Sequence, residues 1–318
     1  MIAEPGDKLA RALTQLDAGE RWLVEPRQLG DEGRLWSPGV RVGVQPGSWF
    51  HRTECFGPVL GVIRADDLDH AIAIQNAVEF GLTGGIHALD DAEIERWLAA
   101  VEVGNAYVNR HTTGAIVRRQ PFGGWKRSSV GRGAKTGGPG DVLRFVDVHR
   151  HGGSLDCAAA LTSYRRWWDA QFGVELDRSG LRSEANVLRY RPVHGVIVRL
   201  SEDVEADAVA TMRDAAALAG VPVEFSTPTE RAGARVETDD ELAGRLQDSS
   251  AERLRLLGTA SDELRLACFE AGISVDETSV TGDGRVELPC WLREQAISRT
   301  LHRHGRVATA DPSPAGDS

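Results

Sequence analysis

Apolar positions recur at two different periods along the chain, and these periods predict where it forms helices and strands. After Asp90, a typical helix-starting residue, the apolar positions have the i, i+3, i+4, i+7 spacing of one helix face: Ile94, Trp97, Leu98 and Val101. Gly104 then ends the pattern. Short apolar runs rich in β-branched residues, such as Val59–Ile63, predict strands instead.

The first half alternates between these two kinds of pattern. The helical spacing predicts helices over 8–16, from Asp66 or Asp67 through Val78, and over 91–103. The short apolar runs predict strands over 21–25, 35–40, 59–63, 85–89, 105–110 and 142–148. Because strands and helices alternate with short links between 59 and 110, we expect a parallel sheet covered by helices there.

The second half has its own alternating series, which predicts a doubly wound sheet. Its expected helices are 161–172, 205–219, 240–246, 261–271 and 292–302, and its expected strands are 196–200, 221–225, 253–257 and 273–276. A polar, glycine-containing stretch at 149–154 is the candidate boundary. The sequence therefore predicts an α/β protein with domains at 1–150 and 151–307 and a disordered tail at 308–318.

Composition narrows the class of protein. The net charge of −10 argues against a general nucleic-acid surface, and 41% apolar with 26% charged residues is ordinary for a globular chain. No run approaches the ~18 apolar residues of a membrane helix, and no signal peptide precedes the first element. We therefore expect a cytoplasmic protein.

The four cysteines, Cys55, Cys157, Cys268 and Cys290, are widely spaced. No pair or Cys/His cluster has the spacing of a zinc site, so we expect neither disulfides nor a metal. Cys268 lies on the apolar face of a predicted helix, which favours a core thiol over a reactive one.

Two stretches carry candidate chemistry. In an extended Thr53–Pro58 segment, Glu54 and Phe56 would project to the same side, where a carboxylate could accept ribose hydroxyls beside an aromatic ring. A surface glutamate and a core phenylalanine are the alternative. The glycine-rich loop 113–126 follows a strand and could read a small polar ligand through its backbone, or be an ordinary connection.

Together these stretches resemble a known family. Glu54-Cys-Phe-Gly-Pro-Val59, Tyr107-Val-Asn109 and Pro121-Phe-Gly-Gly-Trp-Lys126 resemble the C-terminal half of the NAD-dependent aldehyde dehydrogenase superfamily. Gly81-Leu-Thr-Gly-Gly-Ile-His87 and the Thr113–Gly124 run look like the L-glutamate γ-semialdehyde (1-pyrroline-5-carboxylate) dehydrogenases, above all the dehydrogenase module of bifunctional proline utilization A proteins. The resemblance covers residues 8–145.

The second half is similar to the C-terminal domain of the longer family members, through Glu184–Tyr190 and Leu292–Arg303. The resemblance implies that this domain has a Rossmann-like, aldehyde-dehydrogenase-like fold and catalyses nothing itself. It contains no Gly-x-Gly-x-x-Gly phosphate-binding loop. The implied architecture is thus a partial aldehyde dehydrogenase catalytic domain followed by a second Rossmann-like α/β domain.

The resemblance also implies site residues. Glu54 would hold the nicotinamide ribose of NAD, and Phe56 would pack beside the nicotinamide. Gly114 and Ala115 would offer backbone N–H groups to the α-carboxylate of glutamate γ-semialdehyde, and Phe122 would pack against its aliphatic part. Val142–Val148 would form an oligomerisation flap, as in a homo-oligomer.

The nucleophilic cysteine and the NAD-binding domain of this family lie farther upstream of the Glu-x-Phe-Gly-Pro segment than this sequence extends. Cys55 sits inside the cofactor motif, so we expect no catalytic residue in this chain and no activity without an N-terminal half or partner subunit. Two alternatives remain open: a non-catalytic module that binds or caps another aldehyde dehydrogenase chain, and a small-molecule-binding protein that uses the loop at Gly114.

Overall fold

The chain forms two compact units. The computed structural model describes residues 3–112, 116–117, 119–146, 148, 154–303 and 306–307. The first unit is Met1–Glu79 with Asp90–Val101, and the second is Phe80–Leu89 with Glu102–Ser318. Both contain helices and strands, which confirms the predicted α/β class. Within the described residues, no helix is long and apolar enough to cross a membrane.

The first unit is a three-stranded sheet with four helices. The helices are α1 (Asp7–Thr14), α2 (Trp49–Arg52), α3 (Leu68–Asn76) and α4 (Asp91–Ala100), and the strands are β1 (Arg21–Val24), β2 (Gly39–Val42) and β3 (Val59–Val62). β1 and β2 are antiparallel, and β2 and β3 are parallel. Asp67 and Asp90 begin α3 and α4 by accepting backbone N–H bonds, as predicted from their positions.

A buried arginine ties the sheet of the first unit to its first helix. Arg41 on β2 is 1% exposed and pairs with Glu20 at 2.8 Å. The same guanidinium donates to the backbone carbonyls of Ala12 and Gln15 at the end of α1. Because these carbonyls have no partners further along the helix, the arginine satisfies groups that would otherwise be buried without hydrogen bonds.

The second unit contains the remaining elements. Its strands are β4 (Phe80–Gly81), β5 (Thr83–Ile86), β6 (Asn105–Val108), β7 (Trp125–Lys126), β8 (Leu176–Asp177), β9 (Glu184–Pro192), β10 (Val196–Leu200), β11 (Val223–Thr227), β12 (Arg235–Val236), β13 (Arg253–Leu257), β14 (Ser274–Asp276), β15 (Leu292–Thr300), β16 (His302–Arg303) and β17 (Arg306–Val307). Its helices are α5 (Cys157–Trp167), α6 (Ala206–Ala219), α7 (Asp239–Arg245), α8 (Asp262–Ala271) and α9 (Gly284–Glu287).

One sheet of this unit is the doubly wound sheet that the sequence predicts. Its five strands are all parallel, in the order β12-β11-β10-β13-β14. Val196 and Val198 on β10 pack in the core that contains α6, whereas Ile197 packs with residues of α7 and α8. Since successive strand residues point to opposite faces, β10 is buried by helices on both sides.

The other large sheet is mixed, in the order β5-β6-β15-β9-β8. β6 is parallel to β5 and β15, and β9 is antiparallel to β15. This sheet takes strands from both sides of residue 150, so the compact units do not follow the predicted boundary there. The tail 308–318 lies outside the described residues.

Two predicted elements and one predicted sheet were wrong. Residues 292–302 were expected to be a helix, but most of them form β15, because pairing with β6 and β9 on both edges outweighs the local helix propensity. The expected strand at 142–148 is instead a 3-10 turn over Asp141–Phe145 within the described residues; the Asp141 carboxylate accepts the Gly137 N–H at 2.9 Å and fixes that turn. Finally, β3 belongs to a different sheet from β5 and β6, so 59–110 is not one parallel sheet.

Candidate functional site

The predicted cofactor contacts lie in the first unit, directly after α2. Phe56 is 85% exposed and Glu54 is also exposed, and both line an open cleft of about 430 Å³ together with residues 6–9. Cys55 lies between them, and partial burial raises the pKa of its thiol. An exposed carboxylate and an exposed aromatic ring on one cleft are suited to contact a ribose and a flat ring.

Backbone conformation sets the same segments apart. Among the described residues, the non-glycine residues with positive φ are Phe56 (51°), Asn109 (54°) and Lys126 (52°). Phe56 lies in the candidate cofactor segment, and the other two lie at the two ends of the stretch that contains the glycine-rich loop. Such conformations are uncommon for these residue types and cluster at functional sites.

In the second unit, hydrogen bonds hold both of these strained ends in place. The side-chain amide of Asn109 accepts from the Ala88 N–H at 3.0 Å and donates to the Ala88 carbonyl at 2.9 Å. Lys126 pairs with Glu102 at 2.8 Å. The ends of the loop are thus fixed by contacts outside the loop itself.

The predicted substrate contacts are only partly described. Gly114 and Ala115 lie outside the described residues. Phe122 is half-buried, and its backbone pairs with Thr136 in both directions, at 3.1 and 3.0 Å. The structure therefore places Phe122 on a fixed backbone.

A buried lysine supports the glycines that follow Phe122. Lys135 is 0% exposed, and its ammonium donates to Asn105 Oδ1 at 3.3 Å and to the Gly123 carbonyl. Burial lowers its pKa to about 7, and the carboxyl of Glu294 opposes that shift. Glu294 Oε2 also accepts the backbone N–H of Lys135 at 2.7 Å.

The glycine at 124 is required by packing. A Cβ there would lie 2.4 Å from the Ser128 carbonyl oxygen, which no side chain can tolerate without a backbone shift. Close packing, and not only ligand access, therefore explains part of the Pro121–Lys126 motif.

The C-terminal half supplies residues that the sequence did not single out as functional. Glu184 on β9 and Ser298 on β15 contact residues of the loop or its flanks, and Asn186 on β9 bonds to both of them. Glu184 bonds to Arg119, 65 residues away, and to Arg110, 74 residues away. Spacing along the chain contains no signal for partners so distant. Only the resemblance of Glu184–Tyr190 to the longer family members pointed to this strand.

At the parallel sheet, some of the backbone donors that face a nucleotide in a doubly wound fold bond to the protein itself. The Ser201 N–H, after β10, donates to the Leu257 carbonyl at the end of β13 at 2.9 Å. At the start of α8, Asp239 accepts the Ser261 N–H at 2.8 Å, and Ser261 Oγ accepts the Leu264 N–H at 3.1 Å. These contacts use donors that a phosphate would otherwise bind.

Comparison with known proteins finds relatives of part of the chain. Residues 7–148 match the aldehyde dehydrogenase family model. A 1-pyrroline-5-carboxylate dehydrogenase of Bacillus cytotoxicus is 43% identical over 112 residues, which are 35% of this chain and 21% of that protein. One of Geobacillus sp. is 43% identical over 121 residues, 37% of this chain and 23% of that protein.

One solved structure matches almost the whole chain. Proline utilization A (PutA) from Corynebacterium freiburgense superposes with a TM-score of 0.79 at 42% identity, over 96% of this chain and 32% of that one. The chain thus spans about a fifth of the length of the curated relatives and about a third of this structure.

The fold is that of an α/β protein, and residues 7–148 match the aldehyde dehydrogenase family. Over 96% of its length the chain is similar to about one third of PutA, and over 112 residues it is similar to a 1-pyrroline-5-carboxylate dehydrogenase.

Proposed function

We propose that this chain is part of an NAD-dependent dehydrogenase that oxidises L-glutamate γ-semialdehyde to L-glutamate in proline catabolism. The observation that carries the proposal is the 42% identity with PutA over 96% of the chain. The 43% identity with 1-pyrroline-5-carboxylate dehydrogenases supports the choice of aldehyde.

In this role Glu54 and Phe56 contact the nicotinamide end of NAD. Their exposure on one open cleft fits a carboxylate that accepts the ribose hydroxyls beside an aromatic ring that packs against the nicotinamide. When bound, the cofactor accepts the hydride from the substrate carbon. The described residues offer no Gly-x-Gly-x-x-Gly loop for its phosphates, so this chain holds one end of the cofactor only.

For the substrate, the backbone N–H groups of Gly114 and Ala115 bind the α-carboxylate, and Phe122 covers the aliphatic carbons. Backbone donors suit an anion because they are oriented without the loss of side-chain freedom. The pairing of Phe122 with Thr136 supports a fixed position for the aromatic ring.

Three of the four thiols of this chain are poor nucleophiles for an aldehyde. Burial raises the pKa of Cys55, of Cys268 to about 11 and of Cys290 to about 12. The fourth, Cys157, donates to the Asp207 carbonyl and accepts from Thr211. Since only a thiolate attacks an aldehyde efficiently, we propose that the nucleophile comes from an N-terminal half or a partner subunit. We further propose, from the family resemblance alone, that the full enzyme is a homo-oligomer.

The first test uses the purified chain with L-glutamate γ-semialdehyde and NAD⁺, followed by NADH absorbance. We expect no NADH above the rate without protein. NADH formation that scales with the amount of this chain would overturn the proposal that the nucleophile comes from an N-terminal half or a partner subunit.

A second candidate is a non-catalytic module that binds another aldehyde dehydrogenase chain. It is favoured by exposed apolar residues on the sheet of the first unit, where Leu23 is 62%, Leu60 60% and Val62 42% exposed. Such a surface is typical of a contact with another polypeptide. Co-elution with a complete aldehyde dehydrogenase, without any gain in NADH formation over that enzyme alone, would favour this candidate.

A further inference from the structure

Glu184 connects the two flanks of the glycine-rich loop. Its Oε2 accepts from Arg110 at 3.1 Å, just after β6, and its Oε1 accepts from Arg119 at 2.7 Å, on the other side of residues 113–115. The carboxylate is 18% exposed, and the two arginines hold its pKa below the usual range of a glutamate, against the opposing effect of burial. The Glu184 side chain on β9 thus binds two arginines, Arg110 and Arg119, that lie on opposite sides of residues 113–115 in the sequence.

A buried chain of polar contacts continues from this carboxylate. Asn186 Nδ2 donates to Glu184 Oε2 at 3.4 Å, and Asn186 Oδ1 lies 3.1 Å from the Ser298 hydroxyl. Ser298 also contacts Gln120, whose amide donates to the Tyr107 hydroxyl at 3.3 Å. Asn186, Ser298 and Tyr107 are at most 3% exposed and Gln120 is 8% exposed, so these contacts are shielded from water.

We propose that Glu184 is a positioning residue for the substrate loop: it fixes Arg119 and Gln120 against the end of β6, and so sets the place of Phe122, two residues further on. The identity of the ligand that the loop binds rests on the proposed function. The effect of Glu184 on the order of the loop does not depend on that function. Glu184 thus gives the C-terminal half a defined task in the substrate site.

A purely electrostatic role of Glu184 and a positioning role predict opposite effects of its substitution on the binding of an anionic ligand. Arg110, Arg119 and Glu184 together carry one net positive charge, and removal of the carboxylate makes it two. If Glu184 served only as a charge, Glu184→Gln would strengthen the binding of an anionic ligand. If it positions the loop, the same substitution weakens binding, because charge-assisted hydrogen bonds to both flanks are lost.

The test combines hydrogen exchange of the full chain with calorimetry using L-glutamate as the probe. In Glu184→Gln we expect faster amide exchange in peptides covering 105–110 and 119–126, and L-glutamate binding weaker by about tenfold. Glu184→Asp should restore part of the protection from amide exchange.

The matched control is Glu175→Gln, which removes a carboxylate paired at 3.1 Å with Arg189, a residue of the same strand as Glu184. This substitution should leave both the exchange rates and the L-glutamate affinity unchanged.

A double variant separates position from charge. Arg119→Gln with Glu184→Gln keeps the wild-type net charge but lacks the connection, so we expect binding as weak as in Glu184→Gln. Wild-type affinity in the double variant, or unchanged exchange in Glu184→Gln, would overturn the proposal. If the wild-type chain binds no L-glutamate, the assignment of the ligand fails, and the exchange data alone then decide whether Glu184 orders the loop.

Discussion

At the scale of single residues, the second unit contains ionisable side chains whose pKa is shifted by burial. Lys135 is the clearest example, because its ammonium is enclosed and bonds to Asn105 and to the Gly123 carbonyl. Its pKa falls from the ordinary 10.5 to about 7. The group that supports the loop glycines is therefore also sensitive to pH.

This predicts a specific pH dependence of stability. Between pH 7 and 10.5 the unfolded chain binds the Lys135 proton and the folded chain does not, so the free energy of unfolding rises with pH in this window. Below pH 7 the lysine lowers stability by a constant amount. We expect Lys135→Met to abolish a rise on the order of a few kcal/mol, measured by urea unfolding at pH 7 and pH 9.5. Lys8→Met is the control, and an unchanged slope in Lys135→Met would contradict the prediction.

The candidate site could be predicted from sequence only where its residues are close together along the chain. The two-residue spacing of Glu54 and Phe56 and the glycines of 113–126 were visible as local patterns. The roles of Lys135, Glu294 and Glu184 were not, because their partners are distant and their burial depends on the complete fold. Buried polar residues are determined by tertiary contacts, and no local pattern encodes these contacts.

At the scale of elements, helices and strands with local signals were predicted well. Both α6 and α8 end at a glycine in the left-handed conformation, Gly220 and Gly272, as the sequence pattern indicates for α8. Strand β15 was predicted as a helix, because its sequence favours a helix while its two neighbouring strands come from distant parts of the chain. Pairing that is not local cannot be seen in a local propensity.

The position of β15 between β6 and β9 predicts a strong effect of proline. The Ala296 N–H donates to the Gly104 carbonyl at 2.8 Å, and proline would remove that bond inside a central strand. We expect Ala296→Pro to destabilise the second unit by about 3 kcal/mol or more, measured by urea unfolding followed by circular dichroism. Asp262→Pro is the control, since the first position of a helix such as α8 tolerates proline. Equal stability of the two variants would show that β15 is not a central strand.

At the scale of the whole molecule, the chain carries the proposed contacts for a cofactor and a substrate, and burial raises the pKa of three of its four thiols. Glu54 and Phe56 belong to the first compact unit, and Phe122 belongs to the second. The relatives are several times longer than the matched segment. These observations support the central proposal that residues 1–318 contribute part of an active site whose nucleophile comes from an N-terminal half or a partner subunit.

The most direct measurement is NADH formation after mixing this chain with the upstream, cysteine-containing part of a 1-pyrroline-5-carboxylate dehydrogenase, with complex formation checked by co-elution. We expect turnover of L-glutamate γ-semialdehyde only in the mixture. Phe56→Ala should raise the KM for NAD⁺ by about tenfold, whereas Phe269→Ala, which changes a phenylalanine 71% exposed in the second unit, should not. NADH formation by the chain alone, or a co-eluting complex that forms none, would contradict the claim.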